Sequence, residues 1–288
     1  MNNFDNLKYR FKNAGIVEQL IYANLTVFIL VYLVKTLGFL FQSDNLLLVE
    51  WFALPASFSE FIKKPWTIIT YGFLHVGLIH ILMNLIALYF IGYLFKQYFT
   101  GKQLLNFYIL GTLFGGLLFL ISYNYFPAFI SQRDSNVLLG ASAGISAIFI
   151  GIATYMPNYQ LRFPLIGYIK LWHLAAFWVL LDIIQIPVSN AGGHLAHLGG
   201  ALFGFIYVYS ASNKELEIFE PFISLFKKKT PLRTVHNSKK KTASSRGPYN
   251  NKSEDQKKVD LILEKIGKSG YDALSKEEKD FLFKQGNK

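Results

Sequence analysis

The sequence predicts an all-α membrane protein, a six-transmembrane-helix bundle with a small helical tail on the cytoplasmic side. Three observations carry this. Hydrophobic residues make up 52% of the 288 residues and charged residues only 16%. The apolar residues gather into six runs of roughly 17–25 residues, the length that crosses a hydrocarbon core of about 30 Å. The charge is segregated, because most lysines and arginines behind the net +11 follow residue 212. A basic main body suited to nucleic acid is thereby excluded. There are no cysteines, which excludes disulfides, thiolate chemistry and cysteine-based zinc sites.

Residues 1–20 form a polar N-terminal segment of mixed charge, without the ordered basic, apolar and small-residue regions of a signal peptide. Residues 21–211 hold the six spans: Ile21 to Phe41, Val76 to Phe95, Leu104 to Tyr123, Leu138 to Tyr155, Ile166 to Ile186 and Gly192 to Ser210. Between the first two lies a long mixed stretch with Trp51, Phe52, Phe58, Phe61 and Trp66 among Glu50, Glu60, Lys63 and Lys64. It reads as an amphipathic segment anchored in the interface by aromatics, with an ordinary soluble loop as the alternative. Lys8, Arg10 and Lys12, then Lys96 and Lys102, then Arg162, then the lysine-rich tail all fall on one side. The positive-inside rule makes that side the cytoplasm and puts both termini there.

Residues 212–254 contain Lys227-Lys228-Lys229 and Lys239-Lys240-Lys241 among Ser, Thr and Asn. This is a flexible basic linker, either solvated or lying on anionic lipid. In residues 255–288, Val259, Leu261, Ile262, Ile266, Leu274, Phe281 and Leu282 recur at helical spacing, and Gly267 and Gly270 interrupt them. Two short helices are expected, packed as a hairpin or ordered by a cytoplasmic partner.

The candidate functional residues share a depth. With the N-terminus inside, even-numbered spans enter from the outer face. Ser142, His197 and His80 then lie about four to five residues into the fourth, sixth and second spans, and Asn84 one turn beyond His80. At 1.5 Å per residue these agree to within roughly one helical turn. Polar groups inside a membrane are expensive and mark function, and a serine with a histidine is the pairing of a hydrolytic nucleophile and its base. Each residue alone has a plainer reading. Membrane serines commonly bond their own backbone or serve packing, His197 alone could be a satisfied interior histidine, and His80 with Asn84 is either a structural i,i+4 pair or a donor pair for an anion. Gly140, Gly144, Gly200 and Gly204 suit close helix packing, which serine and histidine on different helices would need.

These residues carry a resemblance. Pro65-Trp66-Thr67, Phe73-Leu74-His75, His80-Ile81-Leu82-Met83-Asn84, Gly140-Ala141-Ser142 and Ala196-His197-Leu198-Gly199-Gly200 with Gly204 are similar, in this order, to the rhomboid family of intramembrane serine proteases over residues 18–211. The resemblance implies a Ser142–His197 dyad without a carboxylate. His80, Asn84 and the Ser142 backbone N–H would form the oxyanion hole, with His75, Gly140, Gly200 and Gly204 in support. It implies single-span membrane-protein substrates and no metal or organic cofactor, and a bacterial plasma (inner) membrane is expected because no stretch resembles an organelle-targeting segment. Asp182 is left unassigned, since the family uses no carboxylate there, and His194 is extra and unassigned too. Pro187 to Gly193 would cap a polar cavity open to the outer surface. Ser146 departs from the family, which often has an aromatic there that packs on the histidine. Two other readings compete: an inactive family member that binds membrane helices, and a transporter or channel, which would require more ionisable residues deep in the spans.

Overall fold

The computed structural model describes residues 14–43, 47–164, 166–211 and 254–286. The expected basic linker and the cations Lys8, Arg10 and Lys12 lie outside the described residues. The chain divides into two compact units, and the division falls between Ala211 and Glu254.

The first unit begins with α1 (Ile16–Leu40), a 25-residue apolar helix. Three short helices follow, α2 (Leu47–Phe52), α3 (Phe58–Lys63) and α4 (Thr67–Thr70), with β1 (Leu54–Pro55) among them and a 3-10 turn at Tyr71–Phe73 after them. The stretch read as an interfacial segment thus folds on itself. Trp51 and Trp66 stack with centroids 6.2 Å apart, and the Lys64 ammonium sits 5.4 Å over the Trp51 ring. Then come α5 (Leu78–Lys96) and α6 (Gly101–Tyr125). A capping box starts α6: the Thr100 hydroxyl accepts from the Gln103 N–H, and the Gln103 side chain accepts from the Thr100 N–H. After α7 (Pro127–Ile130) and β2 (Val137–Leu138) the chain forms α8 (Ser142–Tyr155), a hairpin of β3 (Gln160–Phe163) and β4 (Gly167–Lys170), α9 (Leu171–Gln185) and α10 (Ala191–Ala211).

By length and composition three helices among the described residues, α1, α5 and α6, can cross a membrane. The expected fourth and fifth spans are shorter than their apolar runs. Leu138 is taken by β2, and the run from Ile166 gives its first residues to β4. That leaves α8 with 14 residues and α9 with 15, or about 21–23 Å of rise against roughly 30 Å of hydrocarbon. The two small antiparallel sheets also depart from an all-α reading. The pairing of Leu54 with Leu138 and Pro55 with Val137 joins segments far apart in sequence and too short to show alternation. It fixes the chain just before the Gly140 turn.

α8 is the central helix. All its residues from Ala143 to Ala153 are buried, while α1 and α9 turn large apolar side chains such as Leu33, Leu37, Phe177 and Leu180 outward. Among apolar surroundings, helices associate through close packing rather than hydrophobic burial, which favours small residues at contacts. A Cβ added at Gly200 or Gly204 of α10 would overlap the carbonyl oxygens of Ala143 and Ala147 on α8. Two glycines one turn apart thus meet two alanines one turn apart, and the backbones touch. Buried polar side chains lock the loop before α5. Asn24 of α1 donates to the Tyr108 hydroxyl (3.0 Å), which donates to the Gly72 carbonyl (2.7 Å), and the Tyr71 hydroxyl donates to the Thr112 carbonyl (2.6 Å). Each bond satisfies a group that would otherwise be costly to bury.

The second unit holds α11 (Glu254–Ser269), a 3-10 turn at Tyr271–Ala273 and α12 (Lys276–Gly286). Gly270, with φ +78°, follows the end of α11 in a conformation that favours glycine. Gly267, expected to interrupt the helix, lies inside it, because a single glycine costs only about 1 kcal/mol there. Ser275 caps α12 reciprocally with Glu278, and Lys265 pairs with Glu278 at 2.9 Å.

Candidate active site

The nucleophile candidate sits at the first residue of a helix. Gly140 adopts φ +125°, which an L side chain rarely takes, and its N–H donates to the Tyr71 carbonyl at 2.9 Å. The turn delivers Ala141 as N-cap and Ser142 as the first residue of α8. The Ala141 N–H donates to His75 Nε2 at 3.4 Å, so the fully buried His75 props the turn from beneath. Its burial, with His80 beside it, holds the His75 imidazole far below the usual histidine range, at about 4. The first i→i−4 bond of α8 runs from the Ile145 N–H to the Ala141 carbonyl. The N–H groups of Ser142, Ala143 and Gly144 therefore form the open end of the helix, where the dipole favours negative charge.

His197 lies in the second turn of α10. Its Nε2 stands 2.7 Å from the Ser142 Oγ. Both side chains are partly buried, His197 at 16% side-chain exposure. On the far side of the ring, His197 Nδ1 is 2.8 Å from Asp182 Oδ1, and His194 Nδ1 reaches the same oxygen at 2.7 Å. Asp182, on α9, is buried, and its second oxygen has no partner among the described residues. Trp178, one turn earlier on α9, has its ring centroid 6.3 Å from that of His197. Ser146, one turn after Ser142, is buried with an unpartnered hydroxyl.

The remaining expected residues fall around this pair. His80, in the first turn of α5, is exposed, and its ring lies against Gly140: a Cβ there would be 2.9 Å from His80 Nε2 and 3.7 Å from the Ser142 Oγ. Asn84 is buried one turn further on, and its amide donates to the His80 carbonyl at 3.0 Å. Gly200 and Gly204 bring α10 against α8, as described above. Residues of the expected cap, from Pro187 to Gly192, line a cavity of about 370 Å³ with Tyr123, Gln132 and Asn136, and neither Ser142 nor His197 lines it.

Sequence reasoning leaves Asp182 and His194 unassigned and does not single out Trp178. The resemblance, which implies a dyad without a carboxylate, sets Asp182 aside. Counted back from the outer end of the fifth span, Asp182 lies about one turn deep, at the level of Ser142 and His197. Trp178 lies one turn deeper on the same helix face.

A family model of the rhomboid domain matches residues 63–214, a little over half of the chain. A family of unknown function, DUF6576, matches residues 248–284, which include most of the second unit. Among similar proteins are the RHOMBOID-like protein 12, mitochondrial, of Arabidopsis thaliana, 31% identical over 144 residues (47% of this chain, 43% of that one), and the Rhomboid-like protein 16, chloroplastic, of the same plant, 34% identical over 109 residues (38% and 31%). The Rhomboid protease GlpG of Yersinia pseudotuberculosis is 22% identical over 195 residues (64% and 62%). The chain spans less than two thirds of the length of each of these relatives. The family match, the order of the motifs and the long apolar helices together make this chain a membrane protein of the rhomboid family.

Proposed function

We propose that the chain is an intramembrane serine endopeptidase that cleaves the transmembrane segments of single-span membrane proteins. The observation that carries this is the 2.7 Å approach of Ser142 Oγ to His197 Nε2 at the open N-terminus of α8. Removing the Ser142 proton to His197 frees Oγ to attack the scissile carbonyl carbon. The oxyanion that forms lies near the Ser142 N–H, with His80 and Asn84 as further donors and each such donor worth about 2.7–4 kcal/mol. The proton on His197 passes to the departing amine as the C–N bond breaks. Water then gives a proton to His197 as its oxygen attacks the acyl carbon, and when the acyl–Oγ bond breaks, Oγ takes that proton back from His197. Asn84 gives one amide hydrogen to the His80 carbonyl, and its second would serve the oxyanion.

The same reading gives six membrane crossings, with short α8 and α9 enclosed by longer helices, so that water reaches Ser142 from the outer face. It puts both termini in the cytoplasm of a bacterial plasma membrane, leaves lipid as the surrounding partner, and assigns the second unit to a cytoplasmic partner. The mitochondrial and chloroplastic names of two relatives make organelle membranes the alternative location. The alternative function is an inactive family member that binds membrane helices.

Wild type, Ser142→Ala and His197→Ala, purified in detergent, should be incubated with a single-span substrate and a serine-directed phosphonate. The expected outcome is cleavage and labelling by wild type, with each variant reduced at least about 10³-fold. Folded wild type that neither cleaves several substrates nor takes the label would establish the inactive alternative. Equal cleavage by all three would remove the site altogether.

A further inference from the structure

We infer that Asp182 is the positioning carboxylate of His197, making a Ser142–His197–Asp182 triad of this site, and that α9 rather than α8 orients the base. The inference rests on the protease reading above.

The argument begins with the tautomer. For His197 to take the Ser142 proton, Nε2 must be unprotonated and Nδ1 must carry the hydrogen. Which nitrogen carries it is set by what the other side of the ring meets. Asp182 Oδ1 lies 2.8 Å from Nδ1, at charge-assisted hydrogen-bond distance. An ionised carboxylate only accepts, so it enforces Nδ1–H and leaves Nε2 free to face Ser142. His194 Nδ1 donates to the same oxygen from 2.7 Å, one turn before His197 on α10. A carboxylate as buried as Asp182 is costly unless paired, and these two N–H groups are its partners among the described residues. The double bond also fixes Asp182 itself. With Oδ1 held by two donors 15 and 12 residues away in sequence, its rotamer cannot turn without losing both.

The second line of argument is packing. Residue 146, one turn along α8 from the nucleophile, is a serine and offers His197 no ring to lie against. Trp178 occupies that role from α9, with its ring 6.3 Å from His197 and Phe149 of α8 packed edge-on behind it at 5.8 Å. Trp178 and Asp182 are four residues apart on one face of α9. One helix face therefore supplies both a lateral surface and an acceptor to the same imidazole. The three side chains Asp182, His194 and His197 also bring ligand atoms within 4.8 Å of one another, a spacing that a metal ion would accept. The hydrogen-bond reading accounts for both Nδ1–Oδ1 distances without one.

The test compares wild type with Asp182→Asn and Asp182→Ala as full chains in detergent. It measures kcat and KM separately, the phosphonate labelling rate, and the thermal transition, with and without EDTA. Asn preserves shape and removes the charge, so it reports on position and charge even if Ala fails to fold. We expect kcat and the labelling rate to fall together by at least about tenfold, up to the roughly 10⁴-fold known where the orienting carboxylate of a serine protease is replaced. KM should stay within about threefold, because a positioning group acts on the chemical step. EDTA should change nothing. The inference is overturned if Asp182→Asn keeps kcat within twofold of wild type or if the loss lies wholly in KM. It is equally overturned if EDTA abolishes wild-type cleavage and zinc restores it, because the trio would then be a metal site. Wild type that neither cleaves nor is labelled overturns the protease reading itself, and is told apart by failing before any Asp182 variant is compared.

Discussion

Gly115→Ala should uncouple the serine from its base without touching either. Gly115 lies on α6, facing the two helices that carry the pair. A methyl group there would stand 2.6 Å from the Ala143 Cβ and 2.6 Å from the Ala196 carbonyl oxygen. Both are about 0.8 Å inside the 3.4 Å floor of ordinary contact, and neither is the end of a flexible side chain. Ala143 follows Ser142 and Ala196 precedes His197, so the helices themselves must yield. The Ser142–His197 hydrogen bond, at 2.7 Å, has a margin of similar size before it ceases to be one. A misplacement near 1 Å costs about 10²-fold in rate, and overpacking of this kind costs about 1–3 kcal/mol of stability. The assay is kcat against a single-span substrate, phosphonate labelling of Ser142, and thermal unfolding in the same detergent. We expect kcat and labelling to fall about 10²-fold with the protein still folded. If α8 and α10, locked through Gly200 and Gly204, recede from α6 as one body, stability falls but kcat holds within threefold. That result would refute the idea that small-residue contacts on α6 set the catalytic distance.

Three further outcomes are expected. His75 binds its proton only near pH 4 when folded, against an ordinary value of 6.5. Its contribution to stability is therefore intact above 6.5 and is lost as pH falls towards 4; His75→Gln, which keeps an acceptor for the Ala141 N–H, should flatten the acid limb of a melting-temperature profile. Gly140→Ala forces a side chain into φ +125° and onto the His80 ring, at about 1–3 kcal/mol of strain; cleavage should drop at least tenfold, and unchanged cleavage would mean that the turn is not held as described. Gly267→Ala, where a Cβ meets nothing within 4 Å, should stabilise α11 by up to about 1 kcal/mol and leave cleavage unchanged, measured by circular dichroism of the full chain and the substrate assay.

What was legible in the sequence follows from local rules. The runs of apolar residues are local, so the approximate places of the six longest helices among the described residues of the first unit could be read, together with the tail helices. Their ends could not, because Leu138 and residues 167–170 are apolar enough for a helix and were claimed by strand pairing. The candidate site was legible where a motif marks it. Gly140 to Ser142 and Ala196 to Gly200 each pair a reactive side chain with the small residues that let it approach a neighbour. In the structure His75 accepts from the Ala141 N–H, the His80 ring lies against Gly140, and Asn84 gives one amide hydrogen to its own helix. Asp182 was visible as a buried carboxylate in an apolar run, yet nothing adjacent to it in sequence indicates which way it faces.

By itself, then, the sequence determined the class of solvent, the approximate helix positions, and the chemical types of the candidate nucleophile and base, because hydrophobicity and side-chain chemistry are properties of single residues and short windows. The tertiary structure decided what surrounds the His197 ring. Whether α9 turns Trp178 and Asp182 towards His197 depends on the rotation of one helix against another and on a contact across 15 residues of sequence. A helical period fixes which residues share a face. Only the packing of whole helices, set here by glycines that let backbones touch, fixes what that face meets.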